Sequence, residues 1–127
     1  MEFGFSLPFP PSVNHTWMRG AGKRLYSNPK VKAFHKESDC ILQEVKRLYP
    51  EIEFPIQNRL QVVIVLNERD KRRRDIDNYQ KSVMDACTKC GIWDDDSQVD
   101  ELIIRRGIIN KDNPNVFITI SEVFIDE

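Results

Sequence analysis

The segment LQVVIVL, residues 60–66, is an apolar and largely β-branched run of the kind that forms a well-buried strand. Pro50 and Pro55 precede it, and the polar segment Asn67–Arg74 follows it. Prolines and polar clusters of this kind interrupt regular structure, so the strand is bounded on both sides. We therefore predict that this segment is the central strand of a sheet, around which the other elements are placed.

Two elements are predicted before the central strand. Glu2–Leu7 alternates at a period of two and ends at a run of prolines, which indicates a short strand. The pair NP at positions 28 and 29 is a capping residue followed by proline at the first helical position, so we expect a helix over Pro29–Tyr49. Between them, Ser12–Asn28 is equally compatible with a short hairpin and with an ordered loop.

Three elements are predicted after the central strand. Apolar residues return at helical spacing and end at a glycine, which predicts a second helix over Asp77–Cys90 with its first residue as the N-cap. Val99–Ile109 and Asn115–Phe124 are typical of two strands of a closing hairpin, joined at Lys111–Pro114. The order β-α-β-α-β-β predicts an α+β fold of two layers, with helices on one face of a mixed or largely antiparallel sheet.

The charge of the chain is segregated along its length. The formal net charge is -1, but residues 1–74 carry 14 Lys and Arg against 8 Asp and Glu, whereas residues 75–127 carry 5 against 12. The acidic half would repel a polyanion unless divalent cations neutralise it. The pattern therefore points to a metal together with phosphate, within a chain whose 127 residues we expect to form one domain.

No apolar stretch approaches the roughly 20 residues that span a bilayer, and no signal pattern is visible at the N-terminus. We therefore expect a cytoplasmic protein with no membrane partner. Cys40, Cys87 and Cys90 offer no paired framework, which predicts free thiols in a reducing compartment. Cys87 and Cys90 have the spacing of a redox or zinc motif, but core packing is the favoured interpretation.

The densest group of charged side chains is RRRDIDNYQK, residues 72–81. If the backbone is extended over Asp75–Asp77, both carboxylates lie on one side while Ile76 packs inward. Mg²⁺ prefers oxygen ligands and takes one or two carboxylates together with waters and substrate phosphates. A third carboxylate is expected from Asp94–Asp96, which has to fold back along a helix of about 21 Å to approach Asp77.

Basic and amide side chains beside these acids suit a phosphate backbone. Lys81 follows Asp77 by one helical turn and could contact a scissile phosphate, while Asn78 could orient a carboxylate or a metal-bound water. Arginines grip phosphates through paired hydrogen bonds. Those predicted to do so are Arg72, Arg73 and Arg74.

Ordinary structural interpretations of the same residues remain open. Asp77 could cap its helix, Asp75 could pair with a neighbouring arginine, and Lys81 could form an i,i+4 ion pair. The run Asp94–Asp96 could be a solvated turn, and exposed ion pairs contribute only about 0–1 kcal/mol.

Three segments of the chain resemble, in the same order, the RusA-type Holliday-junction resolvases. They are LPFPPSVN at 7–14, RRRDIDNYQK at 72–81 and DACTKCGIWDDDSQV at 85–99. The resemblance implies a homodimer that binds four-way DNA junctions and makes paired, symmetric nicks by hydrolysis that depends on Mg²⁺ or Mn²⁺. Members are commonly basic, whereas this chain is formally -1.

The resemblance also implies roles for individual residues. The metal-binding acids fall on Asp75, Asp77 and Asp96, with Asp95 as a neighbouring candidate, and the catalytic lysine falls on Lys81. Asn14 is implied among the DNA-binding residues. Asp94 adds a third consecutive acid where members often have an apolar residue.

Two rival functions were weighed against junction cleavage. One is a non-catalytic module that binds branched DNA and uses its acidic residues structurally. The other takes the Asp-x-Asp pair as the nucleotide-sugar site of a glycosyltransferase, which the short chain argues against.

Overall fold

The computed structural model of the chain describes residues 1–12, 17–19 and 25–124. Two 3₁₀ turns, Ile76–Asn78 and Asp96–Gln98, lie between the regular elements. The helices and strands are β1 (Glu2–Pro8), β2 (Trp17–Arg19), β3 (Leu25–Ser27), α1 (Pro29–Leu48), β4 (Leu60–Asn67), α2 (Gln80–Lys89), β5 (Val99–Arg106) and β6 (Asn115–Glu122).

The main sheet has four strands in the order β1-β6-β4-β5. β4 pairs antiparallel with β6 and parallel with β5, and β1 pairs antiparallel with β6. β4 therefore has a strand on each side, which confirms the prediction that LQVVIVL is a central strand. The sheet is mixed and accompanied by two helices, so the predicted α+β class is confirmed.

The prediction of a closing hairpin is wrong. β4 lies between β5 and β6, so these two strands are not neighbours. β4 and β5 run parallel and need a crossover connection, which α2 provides. β5 is exposed along most of its length and occupies a sheet edge, whereas β6 is buried at every second residue and lies inside. The closeness of the two strands in the sequence suggested a hairpin. Their burial patterns instead match the observed order, in which the buried strand β6 lies inside the sheet and the exposed strand β5 lies at its edge.

One face of the sheet forms the hydrophobic core. Every second residue of β1, β4 and β6 is buried, as expected for strands with one covered face. Both helices contribute to the same cluster of buried side chains. The buried core residues of the two helices are Phe34, Leu42, Val45, Val83, Ala86 and Cys87.

The predicted start of the first helix is confirmed. The Asn28 side chain accepts a hydrogen bond from the backbone N–H of Lys30 at 2.8 Å, and Pro29 is the first helical residue. The helix ends at Leu48, one residue before the predicted end. β2 and β3 pair antiparallel, so a hairpin rather than a loop occupies this part of the segment between β1 and α1.

The three cysteines are free thiols, as predicted, and Cys87 and Cys90 are buried. Burial raises the pKa of both thiols, to about 11 at Cys90. The burial of both thiols agrees with the packing interpretation. In the described part of the chain, no helix combines the length and the apolar character that crossing a bilayer requires.

Candidate active site

Asp75 and Asp77 lie in the short segment that connects β4 to α2. Asp75 has an extended backbone with φ -85° and ψ 129°, and both aspartates are exposed. Ile76 between them is half-buried and packs against the core, as the alternating pattern predicted. Among the described residues, neither carboxylate takes part in an ion pair or a hydrogen bond. Both carboxylates are therefore free to bind a cation.

Asp77 does not cap the second helix, so that prediction is wrong. Asp77 is the middle residue of the 3₁₀ turn Ile76–Asn78, and α2 begins only at Gln80. Tyr79 occupies the N-cap position and forms no capping bond through its side chain. The 3₁₀ turn therefore delays the start of the helix by three residues relative to the prediction.

The three arginines before Asp75 have different surroundings. The Arg74 guanidinium is largely buried and binds the Asp70 carboxylate at 2.8 Å, and it also donates to the carbonyl oxygens of Asp70 and Arg72. The hydrogen bond from Arg74 lowers the pKa of Asp70. Arg72 and Arg73 are exposed. Arg74 therefore shapes the loop by binding Asp70, and the pairing of Asp75 with a neighbouring arginine does not occur.

Asp96 is held by two side chains at the far end of α2. Its Oδ1 accepts hydrogen bonds from the indole Nε1 of Trp93 at 3.0 Å and from the Thr88 hydroxyl. Trp93 is fully buried, and Thr88 lies in the last turns of α2. The acidic loop therefore folds back against the last turns of α2, whereas its approach to Asp77 stays a prediction. Among the described residues, the other carboxylate oxygen of Asp96 forms no hydrogen bond.

Gln98 holds the acidic loop Asp94–Asp96 through side-chain hydrogen bonds to the loop backbone. Its buried side chain accepts hydrogen bonds from the backbone N–H groups of Asp94 and Asp95 at 2.8 and 2.7 Å, and it donates to the carbonyl of Ile56 at 2.7 Å. Asp95 caps the turn through the backbone N–H of Ser97, and its hydrogen bonds to Ser97 lower the pKa of Asp95. Asp95 is thus occupied by a local cap, whereas Asp96 is aimed at α2.

Lys81 is exposed and its ammonium group binds Asp85 at 2.9 Å. The hydrogen bond from Lys81 to Asp85 raises the pKa of the lysine, and the charge of Asp96 adds to this effect. The i,i+4 ion pair therefore exists, but with Asp85 rather than with Asp77. Asn78 is half-buried, and its backbone N–H donates to the carbonyl of Asp75 at 3.3 Å.

The donor chemistry of the three predicted ligands fits a hard cation. Asp75 and Asp77 present exposed carboxylates, and Asp96 has one oxygen that forms no hydrogen bond with the described residues. Within residues 1–12, 17–19 and 25–124, no three His, Cys, Asp or Glu side chains are close enough together to hold a metal ion. The structure therefore does not bring Asp75, Asp77 and Asp96 together into one ligand cluster, and their joint binding of a metal stays a prediction.

Thr88 and Trp93 were not singled out from the sequence as functional residues. A buried tryptophan needs a partner for its indole N–H, and the acid three positions later was an available signal. The role of Thr88 carried no comparable signal, since it depends on how the loop folds back. The predicted DNA-binding residue Asn14 lies outside the described residues.

Comparison with known proteins places these residues in a family context. A family model described as Endodeoxyribonuclease RusA matches residues 8–121, which include the acidic segments on both sides of α2. The chain is 32% identical over 107 residues to the crossover junction endodeoxyribonuclease rusA of Enterobacteria phage HK97, covering 84% of each chain. It is 30% identical over 123 residues, 95% of each chain, to the crossover junction endodeoxyribonucleases of Escherichia coli K12 and Enterobacteria phage 82.

Proposed function

Because the chain belongs to the RusA family of endodeoxyribonucleases, we propose that it resolves four-way DNA junctions by metal-dependent hydrolysis of paired phosphodiester bonds. The observation that carries this proposal is the placement of charged side chains around α2. Asp75 and Asp77 precede the helix, and Asp96 returns to its last turns through a hydrogen bond from Thr88. Carboxylates are thus present at both ends of the helix that carries Lys81.

Asp75, Asp77 and Asp96 would hold Mg²⁺ or Mn²⁺, which when bound supplies a Lewis acid and an activated water for phosphodiester hydrolysis. The hydrogen bonds from Thr88 and Trp93 orient Asp96 and leave its second oxygen for the ion. Lys81 would exchange Asp85 for a phosphate oxygen as negative charge develops there. The protein's contribution is thus to position three carboxylates and one cation.

The exposed arginines Arg72 and Arg73 would contact phosphates on either side of the cut. Arg74 contributes indirectly, because it fixes the loop that carries them through Asp70. These contacts carry no sequence information, so the shape of the junction would select the substrate.

The uncovered face of the sheet supports the expected homodimer. Phe117 is 42% exposed and Ile103 is 43% exposed, and both lie on the face that points away from the core. Half-buried Val63 and Val65 lie between them on β4, opposite Ile103 and Phe117 respectively. A second copy packed on this apolar strip would give the twofold arrangement that symmetric nicking requires.

A synthetic four-way junction tests the proposed reaction. We expect symmetric nicks with Mg²⁺ and no nicks with EDTA. Asp75→Asn and Asp96→Asn should bind the junction but lose at least about 100-fold in cleavage rate, because an amide is a poorer ligand for a hard cation. Asp94→Asn is the matched control, since Asp94 is exposed in the same loop and should cleave at the wild-type rate. Wild-type cleavage by Asp75→Asn would refute the assignment.

One alternative keeps DNA binding but removes the chemistry. The carboxylates do not form a preassembled ligand set, which is the observation that favours a non-catalytic junction-binding module. In that case the wild-type protein and Asp75→Asn would bind the junction equally, and neither would nick it at any Mg²⁺ or Mn²⁺ concentration.

A further inference from the structure

A cavity of about 590 Å³ adjoins the acidic segment before α2, and this volume lies within the range of about 300–1,000 Å³ of ligand pockets. Its lining combines the proline-rich turn after β1, the first turns of α1 and the loop after β4. Arg72, Arg74 and Tyr79 belong both to this lining and to the segment around Asp75. The cavity is therefore a neighbour of the proposed cleavage site.

Aromatic side chains form part of the cavity wall. Phe9 and Tyr79 meet edge to face, with ring centroids 5.0 Å apart and an interplanar angle of 64°. Phe34 from α1 is also in the wall, and its burial shows that it is fixed by the core. Rigid aromatic surfaces of this kind suit a flat ring, because stacking on them does not depend on the identity of the ring.

Cationic side chains complete the lining. Lys30, Arg69 and Arg72 are all exposed residues of the cavity. Arginine and lysine at such a position attract a phosphate and repel a cationic ligand. A ligand for this cavity therefore combines a flat ring with a negative charge.

Glu68 adds a specific requirement to this ligand. It lines the cavity although it is only 4% exposed, and its Oε2 lies 3.7 Å from the Nε of Arg106. Its Oε1 is buried and has no hydrogen-bond partner among the residues that the structure describes. An ionised carboxylate only accepts hydrogen bonds, and a buried acceptor without a donor is costly. The terminal torsion of glutamate is broad, so a small rotation brings Oε1 to a donor on the ligand.

We propose that this cavity receives an unpaired nucleobase with an exocyclic amino group, whose N–H donates to Glu68; the inference rests on the proposed action on branched DNA. The ring lies against Phe9 and Tyr79, and the phosphate lies at Arg69 and Arg72. Cytosine, adenine and guanine carry such an amino group, whereas thymine does not. Bases at a branch point are easier to extrude than bases in a duplex, so a junction supplies this ligand.

Fluorescence anisotropy with labelled tetranucleotides tests the proposal in EDTA, where no cleavage occurs. The full-length wild-type protein should bind tetradeoxycytidylate and tetradeoxyadenylate about tenfold more tightly than tetrathymidylate, as expected for one hydrogen bond to a charged acceptor. Glu68→Gln should reduce this ratio below about threefold, because its amide can also donate to the thymine carbonyls. Glu37→Gln is the matched control, since Glu37 is an exposed acid of the same cavity, and it should keep the wild-type ratio.

A modified oligonucleotide tests the same hydrogen bond on the wild-type protein, without any substitution in the chain. A tetranucleotide of N4,N4-dimethylcytosine lacks the donor, so it should bind the wild-type protein no better than tetrathymidylate. Equal binding of all the oligonucleotides by the wild-type protein, or an unchanged ratio in Glu68→Gln, would overturn the inference. Discrimination among tetranucleotides by a protein that nicks no junction would support the inference and contradict the proposed function, so the two failures are distinguishable.

Discussion

Among the described residues, one carboxylate oxygen of Asp96 accepts hydrogen bonds and the other accepts none, which suits the proposed role of Asp96 as a metal ligand. Trp93 and Thr88 both donate to Oδ1, so the orientation of the carboxylate is set before any ion arrives. A hydrogen-bonded ligand of this kind loses little conformational freedom on binding a metal. The two donors act as positioning residues, and their effect should be measurable as metal affinity.

Thr88→Val should weaken the metal site without unfolding the protein. Valine keeps the shape of threonine but removes the hydroxyl that holds Asp96, and loss of such a supporting bond typically costs about 10–100-fold in metal affinity or activity. The Mg²⁺ concentration for half-maximal junction nicking should therefore rise at least about tenfold. Thr88→Ser keeps the hydroxyl and should remain close to wild type. An unchanged Mg²⁺ dependence in Thr88→Val would show that the bond has no role in metal binding.

At the same scale, the sequence predicted some site residues better than others. The spacing of Asp75 and Asp77 around an inward-facing Ile76 was sufficient to place both acids on the surface together. The choice of Asp96 within its run came from the family pattern alone, because three adjacent acids are equivalent by composition. Only the folded loop separates them, by capping with Asp95 and binding Asp96 to α2.

At the scale of elements, strands were easier to identify than to pair. The alternation in β1 and the β-branched run in β4 predicted both strands within one residue of their observed ends. The pairing of β5 with β4 depends on α2 carrying the chain across the sheet, which is a long-range contact that no local pattern reports. The same applies to the side chains around Glu68, which come from four separate segments.

The ends of β4 and β5 meet through a close backbone contact that requires glycine at position 107. The N–H of Gly107 donates to the carbonyl of Leu66 at 2.8 Å. A Cβ at this position would overlap the Asn67 side-chain oxygen and would lie 2.6 Å from the Cγ1 of Val65. Asn67 also accepts a hydrogen bond from the backbone N–H of Ile108 and donates to Asn115, so it joins the ends of three strands.

Gly107→Ala should therefore lower the free energy of unfolding by about 1–3 kcal/mol, the usual range for overpacking. Urea unfolding followed by circular dichroism measures the change. Gly4→Ala is the milder comparison, because its Cβ would meet the ring tip of exposed Phe117, which can move aside, and the backbone oxygen of Ile118 only at 3.1 Å. A loss in Gly107→Ala no greater than in Gly4→Ala would contradict the role assigned to the contact with Asn67.

At the scale of the whole molecule, the free energy of unfolding should depend on pH in the acidic range. Hydrogen bonds lower the pKa of several carboxyl groups below the ordinary value of an aspartate. A carboxyl whose pKa is lower in the folded state stabilises the fold above its unfolded pKa, and this contribution is lost as the pH falls through the folded value. The groups concerned are Asp39, Asp70, Asp95 and Asp100.

The contribution of these groups to the free energy of unfolding should thus be constant above about pH 5. The free energy of unfolding should then fall as the pH drops below about 4. Chemical denaturation at a series of pH values measures the slope. Asp70→Asn removes the carboxyl that binds Arg74 and should flatten the acidic slope. The same slope in the variant as in the wild type would show that the Asp70–Arg74 pair does not contribute.

The proposed dimer is also a property of the whole molecule. Phe117→Asp places a charge on the uncovered face of the sheet and should shift the protein to a monomer in sedimentation equilibrium. Leu48→Asp is the control, because Leu48 is 65% exposed at the end of α1 and should not affect assembly. A wild-type protein that is monomeric at micromolar concentration would contradict the dimer.

The edge position of β5 exposes the sheet to aggregation by strand addition. An exposed edge strand is a template for strand addition and aggregation, and charged side chains are a common protection against it. Four of the eight residues of β5 are charged: Asp100, Glu101, Arg105 and Arg106. These charges disfavour extension of the sheet through β5, so the apolar face remains the surface available to the proposed dimer.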